Sequence, residues 1–298
     1  MKFNTKCVHG SGRPDSTGAI SPAIYMSSTF SHPKLGDTTG YQYTRESNPT
    51  RDRLEQLIAG LEDGKDALAF SSGMAAVDAV FHLFSPGDHI ILGDDLYGGS
   101  IRMFTNIYEQ NGIEFTYVGT SDLDAVKAAF KPNTKAVYIE TPTNPMMEIT
   151  DIRALCALAH ERNALVIIDN TFLSPYFQKP LTLGADTVVH SGTKFIGGHH
   201  DVISGFTIVK DDELAAKLRL TYKTVGACLS AMDSWLVIRG VKTLALRMEQ
   251  HQKNAIALAE WLKQEPKVTK VLFPGLPEHP GYEVNKSQTT GFGGMLSF

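Results

Sequence analysis

The feature that most constrains the fold is an alternation, from about Leu54 onward, between short apolar runs and longer stretches with helical periodicity. Apolar runs separated by helices predict parallel strands buried on both faces and joined by crossover helices. The chain therefore predicts an α/β fold with a mostly parallel sheet flanked by helices. We predict strands at Asp66–Phe70, His89–Leu92, Glu114–Val118, Ala136–Ile139, Leu165–Ile168, Thr187–His190 and Gly205–Val209, and helices at Gly73–Phe84, Ile101–Gln110, Asp122–Phe130 and Ile152–Arg162.

The regions on either side of this alternation have a different character. Residues 1–50 are rich in Gly, Ser, Thr and Pro, and they predict an extended N-terminal arm that contacts a neighbouring subunit. Residues 51–235 predict the large domain. Residues 236–298 predict a long helix and the start of a small C-terminal α+β domain, which we expect to be truncated because the chain stops in a predicted strand.

Composition excludes several classes of function. The net charge of -4 and the pI of about 6.2 give no reason to expect binding to nucleic acid or to an anionic membrane. No apolar stretch reaches membrane-spanning length, and three dispersed cysteines show no disulfide or zinc spacing, so we expect a cytoplasmic protein. His199, His200 and Asp201 are contiguous, and we predict no metal site there.

Two ionisable residues lie where buried strands are predicted to end. Lys194 follows the strand Thr187–His190 in HSGTKFIGGH, and such a lysine can act as a nucleophile that forms a Schiff base. Taken alone, a lysine emerging into solvent is the more ordinary interpretation. Asp169, in LVIIDNTF, suits a carboxylate that keeps a pyridine nitrogen protonated. A loop or helix cap explains an isolated aspartate equally well.

Three further features follow other predicted strands. The turn Ser71–Met74 precedes a helix, whose free N–H groups suit a phosphate, although such turns are also common caps. Tyr97 in DDLYGGS suits stacking on a flat cofactor, although a surface or core tyrosine is the more ordinary reading. Asn144 in ETPTNP offers a donor and an acceptor on a proline-fixed loop, which is otherwise a rigid turn.

The five features gain weight from their common position. Each follows a different predicted strand, so they are expected at one edge of the sheet, where α/β folds bind ligands. Their chemistry fits one cofactor, pyridoxal 5′-phosphate (PLP), which requires a phosphate cradle, a stacking ring, a pyridinium partner and a Schiff-base lysine.

The same residues resemble those of a known family. The chain is similar to the Cys/Met-metabolism PLP enzymes of fold type I, which include cystathionine γ-lyase, cystathionine β-lyase and cystathionine γ-synthase. The similarity runs from CVHGSGRPDSTGAISPAIYMSSTF to GFGGMLSF. Its most specific segments are YQYTRESNPTR, SSGMAA, DLYGG, ETPTNP, IIDNTF and HSGTKFIGGH.

The resemblance implies a role for each candidate around the cofactor ring. Lys194 would hold PLP and then shuttle protons between substrate carbons. Asp169 would pair with the pyridinium nitrogen. Tyr97 would stack on the ring and help to activate the substrate amine or the leaving group. Asn144 would contact the ring hydroxyl or the substrate carboxylate.

The resemblance also implies a phosphate site and an oligomer. Tyr43 and Arg45 would reach the phosphate in a neighbouring subunit, so the active site would need at least a dimer and the expected assembly is a homotetramer. The remaining phosphate ligands would be the backbone N–H groups of Gly73 and Met74 and the hydroxyls of Ser191 and Thr193.

Two departures from the family pattern limit the functional prediction. Methionine γ-lyases commonly carry a cysteine after the Tyr-Gly pair, whereas this chain has Gly99. The family also continues beyond GFGGMLSF, through the part of the small domain that carries the arginine for the substrate α-carboxylate.

We therefore predict an amino-acid C–S lyase that cleaves L-cystathionine by γ-elimination to cysteine, 2-oxobutyrate and ammonia, with cysteine desulfhydration as a second reaction. β-Elimination, or γ-replacement on an acylated homoserine, uses the same visible residues and stays open. The non-enzyme alternative is a truncated subunit that only binds PLP or only assembles with other subunits.

Overall fold

The computed structural model describes residues 1–10, 12 and 16–298. The predicted N-terminal arm and the family-like segment that begins at Cys7 include residues 11 and 13–15, which lie outside the described residues. None of the described helices combines the length and the apolarity needed to cross a membrane.

The described strands form one seven-stranded sheet. Its order is β1-β7-β6-β5-β4-β2-β3. Strand β2 is parallel to β3 and β4, β4 to β5, and β5 to β6, whereas β1 and β7 are antiparallel. The predicted mostly parallel sheet is confirmed. The strands are β1 (Asp66–Phe70), β2 (His89–Gly93), β3 (Glu114–Val118), β4 (Thr134–Glu140), β5 (Leu165–Asp169), β6 (Thr187–Ser191) and β7 (Gly205–Val209).

Helices flank this sheet, and polar side chains determine where many of them begin. Six helices start after an Asn, Ser or Asp whose side chain accepts a backbone N–H of the first turn, which satisfies a donor that the helix itself leaves free. The helices are α1 (Phe3–His9), α2 (Pro49–Glu62), α3 (Gly73–Phe81), α4 (Gly98–Met103), α5 (Leu123–Ala129), α6 (Ile152–His160), α7 (Ser174–Phe177), α8 (Pro180–Leu183), α9 (Asp212–Val225), α10 (Ala231–Val241), α11 (Leu244–Leu262) and α12 (Tyr282–Gln288).

The helix after β2 differs from the prediction of Ile101–Gln110. The chain turns helical at Gly98, and α4 continues as a π-helical turn over Phe104–Tyr108. Two glycines disfavour a helix start on propensity alone. Here tertiary packing decides, because Tyr97 immediately before α4 donates its backbone N–H to a buried carboxyl on β4.

The chain divides into two compact units. One comprises residues 1–83 and 190–245, and the other comprises residues 84–189 and 246–298. In the first, α2 packs on β1, with Leu54, Ile58 and Leu68 fully buried. In the second, apolar side chains of β4 and β5 pack with those of α6. The division into residues 1–50, 51–235 and 236–298 stays a prediction.

The N-terminal segment is not extended throughout, which corrects the expectation for the arm. Residues Phe3–His9 form α1, where Cys7 is buried. Lys6 donates from Nζ to the Gly60 carbonyl at 2.8 Å and to Asp63 Oδ1 at 2.7 Å. These bonds tie α1 to the end of α2 in the same chain. The positive charge of the lysine also lies at the negative end of the α2 dipole, where it is stabilising.

The C-terminal residues form a small cluster of their own. Ala255 and Ala259 of α11 pack with Phe273 and Leu276, and Leu272 forms a short antiparallel bridge with Ser297. Residues 212–262 contain α9, α10 and α11.

Candidate active site

The turn between β1 and α3 has the geometry of an anion site. Ser72 caps α3, and its Oγ accepts the N–H of Ala75 at 3.1 Å. The N–H groups of Gly73 and Met74 have no hydrogen-bond acceptor among the described residues. Free donors at the positive end of a nine-residue helix fit a phosphate, so this turn fits the phosphate of PLP.

Close packing around the turn requires glycine at two positions. A Cβ on Gly73 would lie 2.9 Å from the Cβ of Ser191, at the end of β6. A Cβ on Gly205, the first residue of β7, would overlap the Ser72 carbonyl. The structure therefore brings Ser191 to the Gly73 turn, as the resemblance implied, and shows a tight packing role for Gly205 that the sequence did not reveal.

Thr193 lies near this turn but is already hydrogen-bonded. Its hydroxyl donates to the Ser204 carbonyl at 3.2 Å and accepts the Ser204 N–H at 3.1 Å. Its own N–H also donates to the Ser204 carbonyl. To donate to a phosphate, the Thr193 hydroxyl must release that carbonyl, so its phosphate role stays a prediction.

Lys194 lies in a tight turn after β6. Its backbone N–H donates to the Ser191 carbonyl at 3.2 Å, and its carbonyl accepts the N–H of Gly198 at 2.9 Å. The N–H of Gly197 closes the turn on the Gly192 carbonyl at 2.8 Å. The side chain of Lys194 is exposed. A rigid backbone with an exposed amine is suited to a nucleophile that must reach a bound carbonyl.

A buried pair supports β6 one residue before Ser191. The Nε2 of His190 lies 2.5 Å from the Oε1 of Glu62 at the end of α2, and the two side chains are 1% and 0% exposed. Such a pair resists substitution, because removal of one partner leaves a buried polar group uncompensated. His190 stands in the HSGTK segment, but its partner 128 positions away is not visible in the sequence.

Asp169 is the last residue of β5, and its carboxylate is held in place locally. Its Oδ1 accepts the backbone N–H of Thr171 at 3.0 Å and the Thr171 hydroxyl at 2.6 Å. The hydroxyl of Tyr138 also bonds to Asp169. Burial, followed by the charges of Asp169 and Glu140, raises the pKa of Tyr138 well above its usual value, so this phenol stays a donor. An oriented carboxylate fits the pyridinium nitrogen of PLP.

Tyr97 lies immediately before α4, and its side chain is 50% exposed. Its backbone N–H donates to Glu140 Oε2 at 3.0 Å. A Cβ at Gly99 would overlap the Tyr97 ring. The ring thus has an exposed side available for stacking and lies directly over a glycine.

Glu140 is the site residue that the sequence analysis left without a role. It ends β4 and pairs in register with Asp169 of β5. It is 4% exposed. Burial and then the neighbouring Asp169 raise the pKa of the Glu140 carboxyl to about 9. Its position as the first letter of ETPTNP, at a predicted strand end, was the available signal.

Asn144 lies in the loop after β4. Its side chain is half-buried and forms no hydrogen bond with another described residue, so its donor and its acceptor are available. The loop is closed by Thr143, whose N–H donates to the Glu148 carbonyl at 3.0 Å and whose Oγ1 accepts the Glu148 N–H at 2.8 Å.

Tyr43 and Arg45 lie together in the N-terminal region. The Arg45 guanidinium lies 5.2 Å from the centre of the Tyr43 ring and donates to the carbonyl of Lys223 in α9 of the same chain. Between them, Thr44 is anchored by Arg51, a fully buried arginine that donates to the Thr44 carbonyl at 2.6 Å. The predicted contact of Tyr43 and Arg45 with a neighbouring subunit stays a prediction.

The candidates therefore fall into two groups, each built within one compact unit. Among the described residues, no cluster of three His, Cys, Asp or Glu side chains is placed to hold a metal ion. The first group contains Gly73, Met74, Ser191, Thr193, Lys194, Tyr43 and Arg45, and the second contains Asp169, Tyr97 and Asn144.

Comparison with known proteins agrees with this chemistry. The family model described as Cys/Met metabolism PLP-dependent enzyme matches residues 4–298. The cystathionine gamma-lyase of Bacillus subtilis (strain 168) is 50% identical, and the match covers 100% of this chain and 79% of that protein. The cystathionine beta-lyase of Lactococcus lactis subsp. cremoris (strain MG1363) is also 50% identical, with 99% of this chain and 78% of that protein covered.

A solved structure is equally similar. The crystal structure of cystathionine gamma-lyase from Lactobacillus plantarum complexed with L-serine matches with a TM-score of 0.97 and 49% identity, covering 99% of this chain and 78% of that chain. Other relatives carry the name cystathionine gamma-synthase.

The fold and the residues thus define a PLP-dependent α/β enzyme. The chain belongs to the Cys/Met metabolism PLP-dependent enzyme family, whose relatives include both lyases and a synthase. Its cofactor is pyridoxal 5′-phosphate, and enzymes of this family act on small amino-acid substrates.

Proposed function

We propose that this protein is a carbon–sulfur lyase that cleaves L-cystathionine by γ-elimination. Its Cγ–S bond breaks, and with the uptake of one water the products are cysteine, 2-oxobutyrate and ammonia. Cysteine desulfhydration is the second reaction we propose. When bound, PLP supplies an electron sink that makes the α-proton of an amino acid acidic.

The residues of the chain have distinct tasks in this proposal. The N–H groups of Gly73 and Met74 bind the phosphate, which fixes the cofactor at the start of α3. Lys194 would hold the cofactor through its Nζ, and its free amine would take the α-proton of the substrate and return a proton to the carbon chain. Asp169 holds the proton on the ring nitrogen, and its orientation is set by Thr171.

The remaining candidates position the ring and the substrate. Tyr97 stacks on the cofactor ring with its exposed face, and its hydroxyl assists the departing sulfur. Asn144 supplies a donor to the ring hydroxyl or to the substrate carboxylate. The hydroxyls of Ser191 and Thr193 complete the phosphate site, which for Thr193 requires an exchange of partner from the Ser204 carbonyl.

The observation that carries the assignment to a PLP site is the pair of acceptor-free N–H groups at Gly73 and Met74. Similarity over the whole chain to the B. subtilis protein named cystathionine gamma-lyase supports γ-cleavage. Gly99 supports the choice against a methionine γ-lyase, because those enzymes commonly carry a cysteine at this position.

β-Elimination is the second candidate, since the L. lactis protein named cystathionine beta-lyase is as similar as the γ-lyase. γ-Replacement is the third, supported by the relatives named cystathionine gamma-synthase.

We further propose a homo-oligomer, at least a dimer and, as is usual in the family, a tetramer, in which Tyr43 and Arg45 reach the phosphate in the neighbouring subunit. The cytoplasmic location stays a prediction.

The test is to incubate the purified protein with PLP and L-cystathionine and to identify the keto acid. We expect 2-oxobutyrate in equal amount to cysteine. Pyruvate with homocysteine would instead establish β-elimination, and cystathionine formed from an acylated homoserine and cysteine would establish γ-replacement. Lys194→Ala is expected to abolish turnover, with Lys217→Ala, an exposed lysine on α9, as the matched control.

The non-catalytic alternative is separated by the spectrum. A visible absorption band that borohydride removes, and that Lys194→Ala lacks, shows the lysine-bound cofactor. If this band is present while no substrate yields a keto acid or a replacement product, the protein binds PLP without catalysing these reactions. If the band is absent, the cofactor site itself is wrongly assigned.

A further inference from the structure

Two carboxyl groups lie side by side at the ends of neighbouring strands. Glu140 closes β4, Asp169 closes β5, and the two residues are directly paired in the parallel register. The catalytic proposal uses only Asp169, because the ring nitrogen of PLP needs one anionic partner. Glu140 is nevertheless almost completely buried, at 4% exposed, and accepts the N–H of Tyr97 at 3.0 Å. A buried carboxyl group in this position requires an explanation.

The surroundings of Glu140 disfavour a negative charge. No described Lys, Arg or His forms an ion pair with it. The groups that face it are Asp169 from β5, Asp95 and the Tyr97 N–H from the segment before α4, and Tyr138 from its own strand. Burial, then Asp169 and Asp95, raise the pKa of Glu140 to about 9, while the Tyr97 N–H opposes this rise. At neutral pH Glu140 therefore carries a proton.

We propose that Glu140 is a positioning residue of this site: in its neutral form its carboxyl group fixes the backbone of Tyr97 and leaves Asp169 as the charged member of the pair. This inference rests on the proposed PLP site. Glu140 then has two effects: it sets the position of the Tyr97 ring, and it determines the charge beside the ring nitrogen of PLP.

The proposal makes glutamine an adequate substitute and alanine a poor one. Glu140→Gln keeps an oxygen that accepts the Tyr97 N–H and carries no charge, as the protonated carboxyl does. Glu140→Ala leaves that N–H without its acceptor and opens a cavity. The matched control is Glu148→Gln, which changes an exposed glutamate in the loop after β4.

The first measurement is PLP affinity, taken from the visible absorbance at pH 7. We expect the dissociation constant of Glu140→Gln to stay within about threefold of wild type and that of Glu140→Ala to rise by about tenfold or more, the scale of one lost buried hydrogen bond. Tyr97→Phe in the Glu140→Ala background should add less than it does alone, since the ring is already misplaced. Equal loss of affinity in the Gln and Ala variants would overturn the proposal.

The second measurement is thermal unfolding of the full chain, without added PLP, between pH 6 and pH 9. The pKa of Glu140 is raised in the folded state. Above pH 4.5, the pKa of this group in the unfolded chain, the folded chain therefore keeps a proton that the unfolded chain releases. Stability from this group is therefore lost as the pH rises from 4.5 towards about 9. Glutamine does not titrate, so the melting temperature of Glu140→Gln should rise relative to that of wild type as the pH rises.

The two measurements separate this proposal from the proposed function. A wild-type protein that binds no PLP would refute the cofactor site, while the pH-dependent difference in unfolding would still report whether Glu140 carries a proton. A difference between Glu140→Gln and wild type that is the same at pH 6 and pH 9 would refute the neutral carboxyl.

Discussion

At the scale of single residues, the space around Tyr97 is set by its neighbours. The N–H is held by Glu140, and the ring lies against Gly99. Both contacts act on a ring that is half exposed. The position of this ring therefore depends on one hydrogen bond and on the absence of one methyl group.

Gly99→Ala should displace the Tyr97 ring, because the new Cβ would overlap it. Because the half-exposed ring can swing aside, we expect a loss of less than about 1 kcal/mol in the free energy of unfolding and a clear rise in the PLP dissociation constant. Denaturant unfolding and absorbance titration measure the two effects. Gly98→Ala is the matched control, since a Cβ there meets nothing within 4 Å. Equal PLP affinity of the two variants would show that Gly99→Ala leaves the stacking position of the ring unchanged.

At the scale of elements, the start of α3 combines a structural cap with the proposed phosphate site. Ser72 Oγ accepts the Ala75 N–H, and the N–H groups of Gly73 and Met74 stay open. The same type of cap begins α10, where Ser230 Oγ accepts the N–H of Asp233 at 3.0 Å. The two caps are chemically alike, but we propose a phosphate site only at the start of α3.

Ser72→Ala and Ser230→Ala should each lower the free energy of unfolding by about 1 kcal/mol, the usual cost of a lost N-cap. Only Ser72→Ala should also weaken PLP binding, since it loosens the turn that presents the Gly73 and Met74 N–H groups. Unfolding curves and PLP titrations of both variants test this difference. Unchanged PLP affinity in Ser72→Ala would place the phosphate elsewhere.

At the scale of the whole molecule, the proposed oligomer makes each active site depend on two chains. Tyr43 and Arg45 are held near each other in the N-terminal region, with Thr44 anchored by the buried Arg51. Among the described residues, the only hydrogen bond of the Arg45 guanidinium goes to a backbone carbonyl of its own chain, which leaves donors for a phosphate. A shared site predicts complementation between inactive variants.

Arg45→Ala and Lys194→Ala should each be poorly active alone, yet unfolding and refolding them together should restore activity. In a randomly mixed dimer one site has both native residues, so about a quarter of wild-type activity is expected. The keto-acid assay measures it, and each variant refolded alone is the control. No recovery in a mixture shown to contain mixed oligomers would mean that Arg45 serves its own chain.

Much of the fold was predictable because its signals are local. Each predicted strand was found with its ends shifted by no more than two residues, since apolar runs bounded by turn residues are read within a short window. Lys194, Asp169 and the Gly73 turn were identified as candidates by the same means, from their places after apolar runs. The start of α4 and the helix at Phe3–His9 were missed, because packing against distant residues overrides local propensity there.

Local patterns in the sequence were sufficient to predict the succession of strands and helices, the family and the residues expected to carry the chemistry. Which side chains meet depended on the three-dimensional packing. The pairing of Glu140 with Asp169 depends on strand register, the contact of Gly99 with the Tyr97 ring on a turn, and the burial of His190 against Glu62 on the packing of a helix on the sheet. Periodicity within one segment contains no information on register or packing between segments, and these contacts set the charge and the geometry of the proposed site.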